Sequence, residues 1–187
     1  MQRRFRRLPL NPMLDIHQNH FELFGLPASF AIALDQLDRH YRKLQSEVHP
    51  DKFAAASPAE RLRSMQLATH VNEAYQTLKS PITRARYLLH LHGVDTLEET
   101  NTAMPAAFLM QQMEWREAIE EASDACDIDV LEQLLRELRH EGAALEQNLH
   151  ATLDQQQDFA QAAETVRKLR FLDKVRIEIE QAIEALE

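Results

Sequence analysis

Pro50 cuts what would otherwise read as one long amphipathic helix, and no other residue constrains the fold of this chain as strongly. The run before it places Leu34, Leu37, Tyr41, Leu44 and Val48 at intervals of three and four, which is one face of a helix. Proline disfavours a helical backbone at the residue before it and has no N–H to donate. The helix is therefore expected to end near His49, leaving His49-Pro50-Asp51 in a loop. A second run opens at Ser57-Pro58-Ala59-Glu60. That segment supplies a cap residue, a proline at the first helical position and a glutamate three after the cap. Leu62, Met65, Ala68, Val71, Ala74 or Tyr75, and Leu78 continue the run. Two antiparallel helices would hold the tripeptide at the tip of their connection.

The rest of the chain also favours helices. Only 3 glycines occur in 187 residues, while Ala, Leu, Glu and Gln are abundant, so an all-α fold of one or two domains is expected. Cys126 is the sole cysteine, which excludes an intrachain disulfide and a multi-cysteine metal or cluster site. No apolar stretch is long enough to span a bilayer. The net charge of −9 divides unevenly. Residues 1–93 carry 13 basic and 8 acidic side chains, and residues 94–187 carry 8 and 22. Such a split suggests two modules with differently charged partners. It argues against general nucleic-acid binding, because the one dense basic cluster is Arg3-Arg4-Phe5-Arg6-Arg7.

Residues 1–19 read as an extension, disordered or preceding the true start, for which Met13 is the candidate. The first module covers residues 20–93. Phe21 to Pro27 forms a short opening element, Asp35 caps the long second helix, and Ile82 to His92 resumes helically up to Gly93. Residues 94–104 are polar and aperiodic and serve as a linker. Residues 105–187 read as a three-helix bundle. Its second helix carries Leu131, Leu134, Leu138, Leu145, Leu149 and Leu153. Its third carries Val166, Leu169, Leu172, Val175, Ile179, Ile183 and Leu186.

The first helix of this bundle has two apolar arcs. Phe108, Trp115, Ile119 and Ala122 share the side suited to a core. Leu109, Met110 and Met113 lie elsewhere, interleaved with Glu114 and Glu117. A bundle helix needs one stripe. The second is either packed against another part of the chain or left as an interaction patch. On the third helix, Arg170 and Phe171 lie off the seam and read either as an exposed pair or as the edge of the core.

The stretch from Tyr41-Arg42-Lys43-Leu44 through His49-Pro50-Asp51-Lys52-Phe53, with Val71 to Leu78 downstream, resembles a J-domain. With Phe21 to Pro27, Tyr87 to Gly93, Ala107-Phe108-Leu109-Met110 and Val166 to Lys174, the chain resembles the HscB family of J-type co-chaperones of iron–sulfur cluster biogenesis. The resemblance covers nearly everything from His20 onward.

It implies an adaptor and not an enzyme, with no cofactor and no metal of its own. Tyr41, Arg42, Lys43, His49, Pro50 and Asp51 would bind an HscA-type seventy-kilodalton heat-shock chaperone and stimulate its ATP hydrolysis. Leu109, Met110, Met113, Glu114, Glu117, Arg170 and Phe171 would bind the scaffold IscU. Some relatives carry an N-terminal zinc-binding cysteine module, which this chain lacks, so it looks like the bacterial, cytoplasmic form, with no membrane or nucleic-acid partner. The nearest alternative is a general J-domain co-chaperone for unfolded clients. A more distant one is a metal-dependent hydrolase built on His49, Asp51 and the pair His90 and His92, which lacks further ligands at suitable spacing.

Overall fold

The computed structural model describes residues 17–96 and 104–186. Most of the expected N-terminal extension and most of the expected linker lie outside them. Among the described residues the regular elements are all helices, namely α1 (His20–Leu23), α2 (Leu34–Val48), α3 (Pro58–Lys79), α4 (Pro81–Leu91), α5 (Ala106–Asp124), α6 (Ile128–His150) and α7 (Phe159–Leu186). A short 3₁₀ turn covers Pro50–Phe53 and a π-helical turn covers Ala151–Gln156. The fold is all-α, as the composition and spacing imply. It divides into two compact units, one through Arg84 and one from Ala85, so the division falls inside α4.

In the first unit α2 and α3 pair as a hairpin, with α1 against α3. Asn19 and Glu22 form a reciprocal capping box on α1, and Ser57 and Glu60 form one on α3, the latter legible in the sequence. Leu37 and Val48 of α2 meet Leu67, Val71, Ala74 and Leu78 of α3 in a core from which solvent is excluded. Two expectations fail here. Helix α2 begins at Leu34 after Ala33, with no side-chain cap, so Asp35 sits in the first turn instead of capping it. Leu62 and Met65 are exposed, because α3 turns Ser64 and Leu67 inward in their place.

The second unit contains the bundle of α5, α6 and α7, with α6 and α7 in the most extensive contact. Phe108, Trp115 and Ala122 of α5, Leu131, Leu135 and Leu138 of α6, and Leu172, Val175 and Ile179 of α7 form its core. The inward arc of α5 is the one that the spacing predicts. The π-helical turn after α6 had no forecast in the sequence. There the hydroxyl of buried Thr152 donates to the carbonyls of Asn148 and Leu149, and the hydroxyl of Thr165 on α7 donates to the side chain of Asn148. These bonds leave no buried hydroxyl unpaired where the helix widens.

Candidate functional site

The tripeptide occupies the tip of the α2–α3 hairpin, and its neighbours fix its position. His49 closes α2 with φ −57° and ψ 127°, a turn out of the helical region. Val48 before it and Phe53 after it are buried and anchor the loop at both ends. The hydroxyl of Ser64, itself sealed from solvent, donates to the carbonyl of Val48 at 2.7 Å. The N–H of Asp51 donates to Nδ1 of His49 at 3.3 Å. The N–H of Lys52 donates to the carbonyl of His49 at 3.0 Å. The side chains of His49 and Asp51 remain 52% and 91% exposed.

The Asp51 carboxylate lies 3.6 Å from Nδ1 of His49. That is too long for a hydrogen bond and within ion-pair distance. At 91% exposure the carboxylate is open to a donor from outside.

The exposed side of the hairpin carries the other residues singled out in α2. Arg42 and Lys43 are exposed. The Arg42 Nε–H donates to the carbonyl of Asp38 at 3.2 Å. Tyr41 is half-buried and part of a network. Its ring stacks on Tyr75 at 3.9 Å between centroids, and its hydroxyl donates to Asn72 and accepts from Gln45. The Tyr75 hydroxyl donates to Asp38 and accepts from Lys79. Tyr41 thus braces the hairpin more than it projects from it.

In the second unit, Leu109, Met110 and Met113 are 46%, 63% and 63% exposed, with Glu114 and Glu117 exposed between them. The bundle core has closed without this stripe. Arg170 and Phe171 are half-buried. The Phe171 ring meets Phe108 edge-on at 5.7 Å and stacks on Trp115 at 6.2 Å. Phe108 and Trp115 themselves meet edge-on at 6.1 Å. Spacing alone does not reveal this aromatic triad, because Phe171 lies off the apolar seam of α7. Nor did it single out Ser64, although the interval of seven from Val71 places Ser64 on the inward face.

No group of three or more His, Cys, Asp or Glu among the described residues is placed to hold a metal ion. No described helix is long and apolar enough to cross a membrane. His92 of α4 stacks on Phe159 of α7 at 4.2 Å.

A helical hairpin tipped by His-Pro-Asp, in one chain with a separate helical bundle, defines a J-type co-chaperone. Residues 104–180 match the family model described as the HSCB C-terminal oligomerisation domain. A co-chaperone protein HscB homolog of Burkholderia mallei (strain SAVP1) is 54% identical over 175 residues, covering 94% of this chain and 99% of that protein. The solved chaperone HscB from Vibrio cholerae is 37% identical with a TM-score of 0.81, over 91% of this chain and all of that one. The crystal structure of human co-chaperone protein HscB is 31% identical with a TM-score of 0.83, over 90% of this chain and 83% of that one. The chain belongs to the HscB family of J-type co-chaperones of iron–sulfur cluster assembly.

Proposed function

We propose that this protein couples two partners and performs no chemistry itself. Residues 20–93 serve as the J-domain, residues 94–104 as a linker and residues 105–187 as the client-binding bundle. The hairpin tip docks on an HscA-type heat-shock chaperone and stimulates its ATP hydrolysis. The bundle holds an IscU-type scaffold and delivers it to that chaperone. The setting is the bacterial cytoplasm, in keeping with the source of the close relatives.

The observation that carries this reading is the stripe of Leu109, Met110 and Met113, exposed beside a bundle core that is already complete. Large apolar side chains grouped on one helix face favour a protein contact, and methionine adapts to irregular partner surfaces. Glu114, Glu117 and Arg170 would ring that contact with charge, and Phe171 would lend it an aromatic edge.

At the other surface, the open carboxylate of Asp51 can accept charge-assisted bonds from a guanidinium, while His49 and Pro50 set the loop's shape. Arg42 and Lys43 favour an acidic docking groove and chiefly tune the encounter rate and its salt dependence. Tyr41 holds the helix that presents them. Stimulation follows if the docked tip favours the hydrolysis-competent state of the chaperone. Carrying client and ATPase contacts on one chain raises the local concentration of client at the chaperone.

Single-turnover ATP hydrolysis by the chaperone, with His49→Gln and Asp51→Asn, tests the first surface. Both variants should fold normally and lose stimulation. Full stimulation by either removes the role of the tripeptide. Calorimetric titration of the scaffold with Leu109, Met113 and Phe171 all changed to Ala tests the second. A loss of about 2–4 kcal/mol in binding is expected for a cluster of anchors, and unchanged affinity removes the stripe from the interface. A pull-down from lysate that returns a broad set of unfolded clients, without one dominant small scaffold, would favour a general co-chaperone instead.

A further inference from the structure

Phe171 is the one apolar member of the proposed scaffold surface that the bundle also uses. Its ring is half-buried, and two aromatic neighbours flank it, Phe108 edge-on at 5.7 Å and Trp115 nearly parallel and offset at 6.2 Å. Trp115 is the only tryptophan in the chain. It is 9% exposed. Its position on α5 is about 160° around the helix axis from Met113 at 100° per residue. What it shows to solvent borders a polar groove with Gln111, Gln133, Arg136 and His140, between α5 and α6. A partner seated on Leu109 and Met113 therefore has no direct path to the indole.

From this geometry we infer that Trp115 is a positioning residue for scaffold binding: it acts through the stack with Phe171 and holds that ring in the pose that the partner meets. The inference rests on the scaffold-binding role proposed for Phe171. An aromatic ring packed between an indole and a second ring loses rotational freedom when the protein folds, so less remains to be lost on association. With an aliphatic residue at position 115 the ring keeps its hydrophobic cover and loses its parallel aromatic neighbour. The surface composition would be unchanged, but the ring would sample several orientations.

The test is a double-mutant cycle on the full chain, read by calorimetric titration with purified IscU-type scaffold. The variants are Trp115→Leu, Trp115→Phe, Phe171→Ala, and Trp115→Leu combined with Phe171→Ala. Far-ultraviolet dichroism and a cooperative melt establish that each is folded at the assay temperature, and Trp115→Phe keeps the question answerable where leucine loosens the core. Trp115→Phe should bind within about twofold of the parent, and Trp115→Leu about tenfold more weakly, which corresponds to ~1.4 kcal/mol. Phe171→Ala should weaken binding at least as much, and adding Trp115→Leu to it should weaken it no further. Parent-like binding by Trp115→Leu overturns the inference alone. So does a double variant weakened by the product of the two single effects, because the indole would then act independently of Phe171. Parent-like binding by Phe171→Ala removes that residue from the scaffold surface and takes the inference with it.

Discussion

The Ser64 hydroxyl donates to the Val48 carbonyl across the α2–α3 hairpin at 2.7 Å, and solvent reaches neither residue. The bond meets a need that Pro50 creates. Where α2 stops, its last carbonyls lose their helical partners, and Val48 is too deep for water to serve. Ser64→Ala would leave that carbonyl buried and unpaired. A loss of about 1–3 kcal/mol is expected, read as a lower denaturation midpoint with little change in slope. An unchanged midpoint would mean that water or a shifted backbone takes the place of the hydroxyl.

Among the described residues three helix ends close in the same way. After α1, α4 and α5 a residue in the left-handed region sends its N–H back to the last turn, and the next N–H reaches one residue further. Gly25 and Gly93 hold that position at φ 60° and 74°, and Cys126 holds it at φ 54°. A Cβ is unfavourable there. Cys126→Gly should therefore stabilise the bundle by about 0.5–1 kcal/mol. Cys126→Ser, which keeps the Cβ, should leave it unchanged. Equal midpoints for the two variants in guanidinium denaturation would show that the strain is negligible.

Burial, followed by the nearby His70, lowers the pKa of His20 from 6.5 to about 4. The two rings lie 5.6 Å apart. A histidine that is harder to protonate in the fold than in the unfolded chain favours folding in its neutral form. The contribution is complete above pH 6.5 and is lost as pH falls toward 4. Melts of the parent should drop over this window, and a His20→Asn variant should show a flatter profile. Parallel profiles for the two proteins would rule out His20 as the source.

Tyr75 receives the Lys79 ammonium and donates to Asp38, while its ring carries Tyr41. Tyr75→Phe removes both bonds and keeps the stack. The network is only partly buried, so about 0.5–1.5 kcal/mol of hairpin stability should be lost. The tripeptide's own bonds should survive. Amide hydrogen exchange would check this, with faster exchange along α2 and no change at Asp51 and Lys52.

The helices were legible because their apolar residues repeat with the helical period, and the tip because Pro50 breaks it. The second arc of α5 was legible for a related reason: Leu109, Met110 and Met113 lie on a different side of the helix from Phe108 and Trp115, although spacing left open whether another part of the chain covers them. What escaped was less periodic. Spacing could not decide which arc of α3 turns inward, and it favoured Leu62 and Met65 over Ser64, whose place in the core depends on a carbonyl sixteen residues away. The π-helical turn at Ala151–Gln156 is held by Thr152, Asn148 and Thr165. Nothing in the spacing of Leu149 and Leu153 distinguishes it from ordinary helix. The near-parallel, offset pairing of Trp115 and Phe171 depends on the relative rotation of α5 and α7, which neither helix encodes alone.

The loop at the hairpin tip is stitched to itself and to two buried anchors before anything approaches it. A segment so built forfeits its conformational freedom during folding and has little left to surrender at the encounter. Its meeting with a partner is then a collision of finished shapes, with a speed set by diffusion and charge and not by a search among backbone states.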